Sequence, residues 1–331
     1  MSLPMTPPIL WSRAGSPSAV GCTVTGMAPA LDSATTAQKT HRYLRLSLVF
    51  VVFALLVSVA IETVVVSWEP LAFGWEPLPS ISHYFYTPAR NVFVGALIAA
   101  SLALLALSGR NRATILLDIA ALFAPLIALV PTGIDAEHPV DGLNCPGAHE
   151  CVPAVYLDDV RAGVATYAVV VITVVVTLAV IRAKRGITTP GAGVVSIIAI
   201  TTAVVMAGLA FIPGLNTDFP FNFWPYPPSI HFAVTLIFFG IFAAVPILHS
   251  RGPIDETETP PTARQRAVYR WVAGLMIADL LLLLAAFVFR EQLGDIPLVL
   301  LGEAVALSLF AWFWWVQTFQ RWDDANPPSV R

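Results

Sequence analysis

Apolar residues in this chain come in long unbroken runs, not in the alternation of a strand or the one-sided stripe of a soluble helix. Eight runs stand out, roughly Tyr43–Ser67, Asn91–Ser108, Ala113–Val130, Gly163–Ile181, Gly193–Ile212, Ile230–Leu248, Val268–Phe289 and Pro297–Val316. A helix that crosses a bilayer needs about 20 mostly apolar residues. In lipid a helix satisfies its own backbone hydrogen bonds, so continuous length overrides the strand preference of the many Val and Ile residues. The pattern predicts an all-α integral membrane protein with eight transmembrane helices.

The polar positions between the runs sharpen this picture. If the amino terminus is cytoplasmic, the alternation puts 15 of the 18 Lys and Arg residues inside and leaves only Arg90, Arg161 and Arg290 outside. Excess Lys and Arg marks the cytoplasmic side. The expectation is therefore both termini inside, in a multi-pass protein of the cell membrane.

Composition agrees, with 57% hydrophobic and 12% charged residues, against about 25% charged in soluble domains. The net charge of −3 gives no sign of nucleic acid as a partner. The chain has no G-x-x-x-x-G-K-[ST] phosphate loop and no G-x-S-x-G nucleophile elbow. No helix carries the regularly spaced Arg of a voltage sensor.

Residues 1–41 are rich in Ser, Thr, Pro, Ala and Gly and read as a disordered cytoplasmic tail, with Met27 as an alternative start. Residues 42–317 form the transmembrane domain, and 318–331 a second cytoplasmic tail. An internal repeat is suggested inside the domain. Trp75, Pro77, Pro79, Ser80, Ile81 and His83 resemble Trp224, Pro225, Pro227, Ser229, Ile230 and His231. Arg110-Asn111-Arg112-Ala113 likewise resembles Arg264-Gln265-Arg266-Ala267. Two four-helix halves, 42–185 and 190–317, would follow, as in transporters with parallel repeats.

The second outside loop is acidic and holds Cys145 and Cys151 with His149 between them. A close cysteine pair outside the cytoplasm points to a disulfide. A zinc site lacks a clear fourth ligand. The aromatic residues at both membrane boundaries read as interface belts.

Ionisable side chains inside spanning helices cost about 2.5–3.5 kcal/mol at the helix centre, so they are the default functional candidates. Here they are Glu62, Asp118, His231, Asp279 and Glu303. Glu62, His231 and Glu303 fall toward the outside, beneath the loop that carries Ser80, His83, Tyr84, Tyr86 and Arg90. This predicts an outward-facing polar pocket for a small molecule or a lipid headgroup. Arg90 is expected to pair with Glu62 or Glu303. Asp118 and Asp279 suggest instead a proton-linked transporter. His83, His231 and Glu303 are candidate metal ligands for an intramembrane hydrolase, but no H-E-x-x-H motif supports them and no cofactor is predicted. Beyond the bilayer, the sequence suggests no protein partner.

The stretch Ser80-Ile81-Ser82-His83-Tyr84-Phe85-Tyr86-Thr87-Pro88-Ala89-Arg90-Asn91-Val92-Phe93-Val94-Gly95 resembles the hallmark of an uncharacterised family of bacterial multi-pass membrane proteins. Its pattern is S-I-S-x-Y-Y-Y-T-x-x-R-[DN]-V-F-V-G. The likeness extends to His231 opening a later helix, to Arg266-Ala267-Val268-Tyr269-Arg270, and to Glu303 in the last helix. Phe85 replaces the middle Tyr, and His83 occupies a variable position. The family transfers no activity. The resemblance implies that Tyr84, Tyr86, Arg90, His231 and Glu303 act as one constellation.

Overall fold

The computed structural model describes residues 36–67, 77–108, 112–134, 143, 151–186, 191–216, 219–221, 229–252, 259–289 and 297–324. Eight α-helices lie within them: α1 (Thr36–Ser67), α2 (Arg90–Ala106), α3 (Arg112–Leu129), α4 (Ala154–Arg185), α5 (Ala192–Phe211), α6 (Ile230–Ser250), α7 (Ala263–Val288) and α8 (Leu298–Gln320). A short 3-10 helix, η1 (Ile81–Tyr86), precedes α2. Among the described residues, six helices are long and apolar enough to cross a membrane, namely α1 and α4 to α8. The apolar helices α2 and α3 are shorter. The 17 residues of α2 rise only about 25 Å, against a hydrocarbon core of about 30 Å.

Local signals move several helix ends outward from the apolar runs. The first helix begins at Thr36, inside the stretch expected to be tail. The fourth begins at Ala154 rather than Gly163, with Pro153 at its N-cap. Its other end stops at Gly186, whose φ of +62° is a left-handed cap that suits glycine. The seventh starts at Ala263 because Thr262 and Gln265 form a capping box. There the Thr262 hydroxyl accepts from the Gln265 N–H, and the Gln265 side chain accepts from the Thr262 N–H. Hydrophobic content locates a span, whereas capping chemistry ends the helix.

Packing closes six helices into a ring. Helix α1 packs on α2, α2 on α3, α3 on α6, α6 on α7, α7 on α8, and α8 back on α1. The pair α4 and α5 stands outside the ring, against α3. This arrangement cuts across the expected halves 42–185 and 190–317, because α1 lies along α2 while its counterpart α5 lies along α4 and α3. Part of the repeat signature, Trp75 and Trp224–Pro227, lies outside the described residues.

Large aromatic side chains fill the ring. Phe242 lies 4.5 Å from Phe310 with the rings tilted by 43° and meets Phe313 edge-on at 5.4 Å. Trp314 adds an edge contact to Phe313 at 5.2 Å. Edge-to-face and offset geometries of this kind add to the gain from burial alone. The outward faces are apolar as well: Phe53, Val169, Val204, Trp271 and Leu281 are all exposed. A soluble protein does not leave so continuous an apolar surface to water.

The two ends of the ring differ. At one end the start of α1 meets the end of α8, where Gln38 donates to the Asp324 carbonyl at 2.9 Å and Arg42 to the Trp322 carbonyl at 2.6 Å. Asp118, in the second turn of α3, also lies toward this end. At the other end, η1 touches α1, α2 and α8.

Candidate functional site

Ser80 starts the site by capping η1: its hydroxyl accepts from the His83 N–H at 3.3 Å and meets His83 Nδ1 at 2.7 Å. The chain just before it is tied to α8, whose Leu300 N–H donates to the Pro79 carbonyl at 2.9 Å. Ile81, Ser82, Tyr84, Phe85 and Tyr86 are then all buried.

Between them these residues reach α8, α6, α1 and the end of α3. The Ile81 N–H donates to Glu303 Oε2 at 2.5 Å. Ser82 Oγ lies 3.1 Å from Glu303 Oε1 and 2.6 Å from His231 Nε2. The Tyr84 hydroxyl bonds Thr63 of α1, which itself donates to the Val59 carbonyl. The Tyr86 hydroxyl donates to the Thr132 carbonyl at 2.6 Å, just past α3. Burial pushes both phenols, of Tyr84 and of Tyr86, above the usual tyrosine range, so both stay protonated as donors. Glu62 is half-buried in α1, one residue before Thr63.

His231 owes its place to local sequence. The Ser229 hydroxyl caps α6 by accepting from the Phe232 N–H at 3.2 Å. That fixes His231 in the first turn, facing the end of α3. The last carbonyls of a helix lack intrahelical donors, and Val130 offers one of these. His231 Nδ1 meets the Val130 carbonyl at 2.6 Å. A carbonyl can only accept, so Nδ1 carries a hydrogen.

The proton count along this chain is then constrained. A serine hydroxyl has one proton to give, so Ser82 donates to His231 or to Glu303, and the other group must donate to Ser82. Either Glu303 is a neutral acid and His231 a neutral imidazole, or Glu303 is a carboxylate and His231 an imidazolium. The two states differ only by hydrogen shifts across Ser82 Oγ, so this hydroxyl can relay a proton between the two.

Arg90 departs from expectation. It pairs with Asp159 of α4 at 3.3 Å, not with Glu62 or Glu303. Its guanidinium also stacks on Phe85 at 4.4 Å and on Tyr156 at 5.1 Å. The reason is topological: α2 and the start of α4 both border α3, which brings Asp159 to the first turn of α2.

Sequence reasoning assembled Ser80, Tyr84, Tyr86, His231 and Glu303 at this end, and the structure joins all of them through η1. It missed the hub, Ser82, although the second Ser of the S-I-S stretch was the available signal. The expected pocket is covered here by the chain itself: Ser80, Ser82 and His231 are each 4% exposed. Of the candidate metal ligands, His231 and Glu303 share Ser82, whereas His83 turns to Ser80. Among the described residues no group of three or more His, Cys, Asp or Glu could hold a metal ion. Asp118 and Asp279 lie apart from the site. Asp279 is 8% exposed, and its Oδ2 has no hydrogen-bond partner. Cys151 is disulfide-bonded and pairs by its backbone with Ile134, while Cys145 lies outside the described residues. No protein-family model matches the chain, and no curated protein or solved structure matches it.

Proposed function

We propose that the chain crosses the cell membrane eight times with both termini in the cytoplasm, and that its outer end carries a binding site for a small polar molecule or lipid headgroup. The segregation of Lys and Arg supports the orientation. The observation that carries the binding site is the internal occupancy of Glu303. Both of its oxygens are engaged by η1, through Ile81 N–H and Ser82 Oγ. A six-residue segment thus fills the place of a ligand. If it withdraws, Glu303, His231, Thr63 and the Thr132 carbonyl all need replacement partners. A molecule bearing amine or hydroxyl donors answers that need.

A thermal-unfolding screen of the purified protein in detergent tests this reading with amines, polyols and soluble lipid headgroups. The expected hit stabilises the wild type and loses its effect in Glu303→Gln and His231→Gln. A panel without a hit, or hits indifferent to both substitutions, would count against the site. Orientation is read independently by labelling single cysteines with a membrane-impermeant maleimide in intact cells.

A second reading, a proton-linked secondary transporter, draws on the buried Asp279 oxygen. Carboxylates within spanning helices often mark proton paths. Proteoliposomes holding a pH-sensitive dye test it: proton flux that survives Asp279→Asn, or no flux at all, would dismiss this role.

A further inference from the structure

The third helix is interrupted near its outer end. Pro125 lies inside α3 and has no N–H, so the Ala121 carbonyl one turn earlier loses its helical donor. Two other helices supply donors at this break. Ser101 of α2 donates to the Ala121 carbonyl at 2.7 Å, and the Tyr167 hydroxyl of α4 donates to the Leu122 carbonyl at 3.0 Å. Both side chains are buried. Membrane helices tolerate proline when neighbouring side chains serve the freed carbonyl. Here those side chains fasten the part of α3 before Pro125 and leave the part after it to other contacts.

That outer part, residues 126–134, is held at its far end as well. Ile134 and Cys151 exchange two backbone hydrogen bonds, at 3.0 and 2.9 Å, and Cys151 is disulfide-bonded. Between the two ends sit the carbonyls that serve the Glu303 site. Val130 accepts from His231 Nδ1 and Thr132 from the Tyr86 hydroxyl, each at 2.6 Å. These two grips are two residues apart on one segment of chain. Neither can lose its carbonyl without a displacement that the other also feels. An uninterrupted helix would resist that displacement, whereas a helix that lacks a hydrogen bond at proline bends there.

We infer that Pro125 is a hinge and that residues 126–134 form a strap that closes the Glu303 site, releasing His231 and Tyr86 together when it shifts. As the device that admits a ligand, the strap rests on the binding site proposed above; as a coupled element it does not.

Hydrogen–deuterium exchange read by peptide mass spectrometry tests the coupling, on the full-length protein in detergent and without added ligand. Exchange reports the opening equilibrium of each segment. Pro125→Ala returns an N–H to α3, and the Ala121 carbonyl has a second lone pair for Ser101. Exchange should slow by about two- to tenfold, the effect of one net hydrogen bond, in the strap and in η1 alike. Exchange in α7 should not change. Leu129→Cys/Gly163→Cys, oxidised, supplies a second lock between the strap and α4. A Cβ at Gly163 would stand 3.5 Å from Leu129 Cβ, within the reach of a disulfide. The cross-linked protein should slow the same two segments, and neither single cysteine variant should. Slowing confined to the strap, or no slowing in either variant, would overturn the hinge. Should Pro125→Ala fail to fold, the cross-linked pair decides. A ligand screen without hits leaves these rates standing, and unchanged rates leave a hit standing, so the strap and the binding site fail separately.

Discussion

Ser82 Oγ stands 2.6 Å from His231 Nε2, joining η1 to the first turn of α6. The same hydroxyl is the only link between His231 and Glu303 among the described residues. Three groups that share one proton chain should not behave independently. Ser82→Ala and His231→Gln are each expected to destabilise by about 1–3 kcal/mol, the usual cost of an unsatisfied buried partner. The double variant should then cost less than the sum, with a coupling of about 0.5–3 kcal/mol. Unfolding midpoints of the four proteins measure this, and strict additivity would contradict the relay.

Glu303 accepts from Ile81 through one oxygen and meets Ser82 through the other. Glu303→Gln keeps a carbonyl oxygen for the Ile81 N–H and adds an amide donor for Ser82. Glu303→Ala removes both. The alanine variant is expected to unfold at a lower temperature than the glutamine variant, with a difference of about 1–3 kcal/mol. Equal midpoints would show that η1 does not depend on this side chain.

Arg90 stacks on Phe85 and Tyr156 while pairing with Asp159. Lysine keeps the charge but not the flat face. Arg90→Lys should therefore cost about 0.5–1 kcal/mol, the scale of an exposed cation–π contact. Asp159→Asn should cost less, since exposed ion pairs contribute little. A larger effect at Asp159 would reverse this ranking.

Gly302, directly before Glu303, packs tightly against Leu283 of α7. A Cβ there would stand 2.4 Å from Leu283 Cδ2 and 2.8 Å from its Cγ. Gly302→Ala is expected to destabilise by about 1–3 kcal/mol through overpacking. Truncating the opposing side chain in Gly302→Ala/Leu283→Ala should recover part of that loss. If the second substitution only adds damage, the close approach is not what constrains Gly302.

Length and polarity of the apolar runs determined roughly where the eight helices of the described residues lie. These are local properties, and a run of some 20 apolar residues satisfies its backbone in lipid only as helix. Sequence also segregated Lys and Arg and drew attention to Tyr84, Tyr86, His231 and Glu303. Tertiary structure decided the rest. Spacing along the chain does not say that α3 lies against α6, so neither the Val130 carbonyl nor the role of Ser82 could be read from it. The partner of Arg90 changed for the same reason, because α4 rather than α8 borders the start of α2. The burial of Arg45 and Arg321 also became visible only once α1 and α8 closed the ring, since a basic residue near a membrane end looks the same in sequence whether it faces headgroups or the bundle.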